Sequence, residues 1–205
     1  TIYAGRAVSY GKVAFASFCA YALSHNLGFA AVSGAAVRYR LYSHWGLSAE
    51  QIAKVIAFCS LTFGLGGMAL GGTILFIEPG AVPFVAKWVP HWAMYAVAAV
   101  LWSIGLGYIA LAGFQRQITL FGRQFELPGW RMALLQVLLA AADVAATAAI
   151  FFVLLPHEPR LTYLRFLGVY LASYSAGLLA TIPGGLGVFD GAMLIGLAPY
   201  LDAPH

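Results

Sequence analysis

The sequence predicts an all-α protein: a polytopic transmembrane bundle of five or six spans, with a broken or re-entrant helix near residues 182–190. Three observations carry this. Of 205 residues, 62% are hydrophobic and only 9% charged, whereas a soluble domain has about a quarter of its residues charged and uses them to cover its outside. Apolar runs of about 20 residues, enough to cross a hydrocarbon core, recur along the chain. Four of the five tryptophans, Trp45, Trp88, Trp92 and Trp130, fall near the ends of those runs, where the membrane–water interface favours them.

The expected spans are 13–36, 51–77, 92–112, 131–155, 162–181 and 186–201, all in one transmembrane domain covering 1–205. His25 and Asn26 interrupt the first. The second starts at a clear signal: Ser48 with Gln51 forms a capping-box pair, and Leu47 can staple onto Ile52. The last run is short, so it reads as a truncated span or as half of a broken one. Between the third and fourth runs, Ile118–Pro128 alternates around Gly122, which fits a short interfacial hairpin and an irregular loop equally well. Basic residues barely favour 37–54 and 113–131 as the cytoplasmic stretches, six against five.

The net charge of +4 comes from 11 basic and 7 acidic residues. It is too small and too scattered for nucleic-acid binding and suits loops that touch anionic headgroups. Cys19 and Cys59 lie in apolar runs and read as buried free thiols. The chain begins at Thr1, without an initiator Met or a signal peptide, so it is expected to be a piece of a longer protein.

Ionisable groups inside a bilayer are costly unless paired or wet, which makes each a functional candidate. Asp143 stands mid-span in Leu138-Leu-Ala-Ala-Ala-Asp-Val-Ala-Ala-Thr, among side chains small enough to admit a partner helix or a headgroup. Its bland reading is a carboxyl hydrogen-bonded within the bundle. Arg38 and Arg40 close the first run; Arg40 reads as snorkelling, and Arg38, nearer the membrane, suits a phosphate because a guanidinium makes two hydrogen bonds at once. His25 has no second intramembrane histidine with which to ligate a haem, so packing or a hydrogen bond within the bundle is its expected role. In Thr62–Thr73, five glycines make a smooth face, and Gly67 with Gly71 has the small-x-x-x-small spacing of close helix contact. In Ile182-Pro-Gly-Gly-Leu-Gly-Val-Phe-Asp190, proline and two glycines break the helix. Broken backbone at membrane depth survives only when buried or lining a wet cavity. The plain alternative is a loop between two spans, with Asp190 at an interface.

Taken together, these runs resemble a known family. Arg38-Tyr-Arg-Leu-Tyr-Ser, Gly46-Leu-Ser with Gln51-Ile-Ala, Phe58 through Gly72, Leu127-Pro, Gln136 with Asp143, Leu154-Leu-Pro156 and Pro183-Gly-Gly-Leu-Gly-Val-Phe-Asp190 are similar, in order, to the membrane region of bacterial lysylphosphatidylglycerol synthases, the multiple peptide resistance factors. The last run is the most specific, although the family often ends it in Glu, and Asp is shorter by one methylene. The resemblance implies a multi-pass protein of the bacterial cytoplasmic membrane. Its parent would transfer an amino acid from tRNA to phosphatidylglycerol, and its membrane part would move the product to the outer leaflet, giving resistance to cationic antimicrobial peptides. The soluble transferase half is absent from this chain, and the family's membrane region has more spans than are counted here.

The expected site is therefore a polar groove in which Asp143 and Asp190 bind the lysyl ammonium groups, Arg38 binds phosphate, and Gly184 and Gly185 allow close backbone approach. Its expected partners are phosphatidylglycerol and lysylphosphatidylglycerol, the membrane itself, a C-terminal synthase domain and a second copy of the chain. No cofactor, metal or catalytic residue is expected: no nucleophile–base pair, metal-ligand cluster or phosphate-binding loop appears in the sequence. The competing readings are a membrane anchor for a synthase and a transporter of another amphiphilic lipid.

Overall fold

The computed structural model describes residues 8–27, 30–115, 117–120, 123–156, 158–180 and 187–201; the side chains of 24–33 and 117–126 lie outside that description. The described chain is helical apart from one hairpin. Its helices are α1 (Tyr10–Leu27), α2 (Ala30–His44), α3 (Ala49–Ile77), α4 (Pro83–Ala86), α5 (His91–Phe114), α6 (Trp130–Leu154), α7 (Tyr163–Leu179) and α8 (Val188–Leu197). Three of them, α3, α5 and α6, are long and apolar enough to cross a membrane. The chain forms two compact units, one of Thr1–Leu61 with Tyr174–Asp190 and one of Thr62–Ser173 with Gly191–His205.

In the first unit, the apolar run expected as one span at 13–36 is divided between α1 and α2. These helices fold back on each other: Ala16 of α1 shares a buried cluster with Tyr42 of α2, and the Lys12 ammonium lies 5.6 Å from the centre of the Trp45 ring. With 18 and 15 residues, the two helices reach roughly 27 and 22 Å at 1.5 Å per residue, short of a core of about 30 Å.

The turn from α2 to α3 follows from local chemistry. The Leu47 N–H donates to Tyr42 O (3.0 Å) and the Gly46 N–H to Ser43 O (2.9 Å), a Schellman ending. It needs a left-handed residue, and Gly46 supplies it at φ 82°. The capping box then forms as expected: the Ser48 N–H donates to Gln51 Oε1 (3.0 Å), and the Gln51 N–H donates to Ser48 Oγ (3.3 Å). Leu47 and Ile52 are buried in the same cluster, which completes the staple.

In the second unit, α3, α5 and α6 pack side by side. Phe76 of α3 lies against Tyr95 of α5, with ring centres 6.4 Å apart, while a Cβ on Gly113 of α5 would lie 3.5 Å from Trp130 Cβ of α6. The glycine face of α3 is used differently from the Gly67–Gly71 expectation. A Cβ on Gly67 would meet nothing within 4 Å, and one on Gly71 would make only an ordinary 3.8 Å contact. The close contacts are at Gly66, where a Cβ would lie 2.8 Å from the Ala140 carbonyl carbon of α6, and at Gly72, where it would lie 2.7 Å from the Trp102 ring of α5. Two partner helices on different sides of α3 each need their own glycine, which a single four-residue spacing cannot provide.

The start of α7 and the end of α8 also run side by side here. Gly196 packs directly onto Val169, and the Arg165 guanidinium lies 5.9 Å from the Tyr200 ring centre. Between α5 and α6, strands β1 (Gln117–Leu120) and β2 (Arg123–Glu126) pair antiparallel. Of the two readings of this connection, the hairpin is the one that forms.

Candidate functional site

The long helix α6 carries the strongest candidate. Its buried stripe is Ala133, Gln136, Val137, Ala140, Val144 and Ala148, the three-to-four spacing of one helix face. Asp143 lies about 90° round from the middle of that stripe at 100° per residue, and it is exposed. Among the described residues it makes no ion pair. Its backbone carbonyl accepts a hydrogen bond from the Thr147 hydroxyl (2.9 Å). Gln136, Asp143 and Thr147 fall within about 40° of the helix circumference, so α6 has a polar edge beside its packed face.

Two turns before Asp143, the same edge is joined to its neighbours. The Tyr108 hydroxyl of α5 donates to Gln136 Oε1 (2.9 Å), and Gln136 Nε2 donates to the Thr62 hydroxyl of α3. Gln136 is only 5% exposed, which makes these bonds necessary: a buried amide without partners costs about 1–3 kcal/mol.

Asp190 stands in the first turn of α8 and is exposed. Its carboxylate accepts a long hydrogen bond from the Gly187 N–H (3.4 Å), and Gly187 has φ 80°. This is the reciprocal half of a capping box, and a carboxylate there also favours the positive end of the helix dipole. Arg38 is half-buried on α2, with a buried Nε that has no hydrogen-bond partner among the described residues. One turn on, burial pushes the Tyr42 phenol above the usual tyrosine range; the nearby Cys59 adds to this, and the Arg38 guanidinium opposes it. Arg38 and Asp190 belong to the same unit, yet no ion pair joins them among the described residues. Asp143 belongs to the other unit. Gly184 and Gly185 lie outside the described residues, as do the side chains of His25 and Asn26. Cys19 and Cys59 are free thiols, half-buried where full burial was expected.

A further polar group was not anticipated from sequence. Glu78, just past α3, pairs with Nε of Arg165 near the start of α7. Arg165 also donates to the Arg160 carbonyl (3.0 Å) and lies over Tyr200. One guanidinium thus ties together the end of α3, the entry to α7 and the exit of α8. Its only sequence signal was a lone charge at the edge of each of two apolar runs. No group of three metal-ligating side chains occurs among the described residues.

Comparison with known proteins agrees with this membrane setting. No family model matches the chain. It is 34% identical over 205 residues to the uncharacterised protein slr0712 of Synechocystis, covering 96% of this chain and 61% of that one. It is 31% identical over 205 residues to the inner membrane protein YbhN of Escherichia coli, with the same coverage of 96% and 61%. To phosphatidylglycerol lysyltransferase of Staphylococcus aureus it is 25% identical over 191 residues, covering 92% of this chain and 21% of that protein. The chain therefore spans about three fifths of the first two relatives. These are homologues at low identity, and together with the three helices of crossing length among the described residues they support a membrane protein.

Proposed function

We propose that this chain is part of a protein that carries a phospholipid with a cationic headgroup, of the aminoacylated phosphatidylglycerol kind, across the bacterial cytoplasmic membrane to its outer leaflet. The observation that supports this most is Asp143: a carboxylate halfway along a 25-residue apolar helix, exposed and outside every ion pair among the described residues. A carboxylate left that way in hydrocarbon is expensive. A cationic headgroup arriving at it would lose its own water and gain a charge-assisted hydrogen bond. In this reading Arg38 takes the phosphate, Asp190 assists at the ammonium end, and Gly184 and Gly185 let the backbone come close. The likeness to the Staphylococcus aureus lysyltransferase favours lysylphosphatidylglycerol among cationic lipids.

The test uses the full-length protein in vesicles loaded with a fluorescent lysylphosphatidylglycerol analogue. Asp143→Asn is expected to slow leaflet exchange by at least about tenfold, the rate equivalent of roughly 1.4 kcal/mol, while Asp143→Glu retains exchange. Asp190→Asn is expected to lose less, because this carboxylate also caps a helix. Unchanged exchange in both Asn variants would remove the carrier role and leave a membrane anchor.

A further inference from the structure

Helix α6 has an unpacked face opposite its packed one. At 100° per residue, Arg131, Leu135 and Leu138 fall within about 60° of one another, on the side away from the buried stripe of Ala133, Val137, Ala140 and Val144. All three are exposed. The charge stands in the first turn and apolar side chains follow it, while the last turn of α6 holds no basic residue. With 25 residues the helix is roughly 37 Å long, against a hydrocarbon core of about 30 Å. Its ends therefore reach the headgroup layer, and Trp130 stands where interfacial tryptophans are favoured.

At this first turn the surface is concave. Gly129, Trp130, Arg131, Met132 and Leu135 line an open groove of about 380 Å³, within the size of sites that hold small ligands. The Arg131 guanidinium lies 5.4 Å from the centre of the Trp130 ring. A ring face attracts a cation but neutralises no charge, and Arg131 has neither an ion pair nor a hydrogen bond among the described residues. Its N–H fork is therefore open to an oxyanion. No carboxylate is among the described residues that line the groove.

We propose that this groove binds one anionic phospholipid: Arg131 takes the phosphate, and an acyl chain lies on Met132, Leu135 and Leu138. Charge selects the occupant. A zwitterionic headgroup brings its own cation to offset the phosphate, whereas an anionic one leaves a net charge for the arginine, which then binds it several-fold better. A free phosphate would use the arginine alone; a lipid, whose phosphate and tail are joined, also uses the apolar side chains that follow. The site rests on the first turns of α6 and not on Asp143, so it stands or falls apart from the carrier reading.

The experiment uses the full-length protein with Cys19→Ser and Cys59→Ser, every cysteine outside this segment likewise replaced, in phosphatidylcholine vesicles. An environment-sensitive dye is attached at Leu138→Cys, beside the groove but not lining it, or at Val153→Cys, exposed at the far end of α6. Quenching by phosphatidylglycerol spin-labelled on its acyl chain is compared with quenching by the matching phosphatidylcholine. The anionic lipid is expected to be preferred at least about threefold at 138 and not at 153, and inorganic phosphate is expected not to displace it. Arg131→Gln should bring the preference at 138 down to none, Arg131→Lys should keep most of it, and both should leave quenching at 153 unchanged, which shows that the variants still fold and insert. Equal preference at the two ends, a preference that survives Arg131→Gln, displacement by inorganic phosphate, or a label at 138 shielded from both lipids by another segment or a second copy would each overturn the proposal.

Discussion

Gln136 and Asp143 stand two turns apart on the same edge of α6, yet their surroundings are opposite. Gln136 is buried and bonded to helices on both sides, whereas Asp143 is exposed and outside every ion pair among the described residues. The amide holds three helices together. Among the described residues the carboxylate makes no such joint, and a buried carboxylate would have been a poor choice for one because an ion demands more compensation than an amide. The comparison teaches that polarity inside a membrane helix has two separable uses, cohesion and availability, and that burial distinguishes them.

The contrast can be broken by substitution. The largest effect on stability is expected beneath it, where α3 meets α6: Gly66→Leu forces side-chain atoms into the Ala140 backbone and should cost roughly 3 kcal/mol, read as earlier unfolding in detergent. The same change at Gly67, which faces open space, should cost far less. Gln136→Leu removes the acceptor of Tyr108 and should cost about 1–2 kcal/mol. If Asp143→Asn destabilised the protein as much as Gln136→Leu, the carboxylate would be a structural joint too; the expected change is within about 0.5 kcal/mol, with the loss appearing in lipid exchange alone. Away from this edge, at the capping box, Ser48→Ala should cost about 1 kcal/mol or less and loosen the α2–α3 turn without touching α6.

Much of this was legible in the residues because it is local. The α3 start was readable from Ser48 and Gln51, since both partners of a capping box lie within one turn. The hairpin was one of two open readings because alternation over so few residues does not by itself specify strand pairing. Glu78 and Arg165 were invisible as a pair, separated by 87 positions, and nothing local couples them. The division of the 13–36 run into α1 and α2 was also missed: its apolar composition is continuous, and composition does not record direction.

Sequence alone determined the solvent this protein needs, the helical state of its apolar runs and the places where helices start and turn, because hydrophobicity and capping act over a few neighbouring residues. Only the tertiary structure decided which glycines touch a neighbour, which polar groups are satisfied and which carboxylate is left over. Those outcomes depend on which faces meet, and a helix face is defined only by what packs against it.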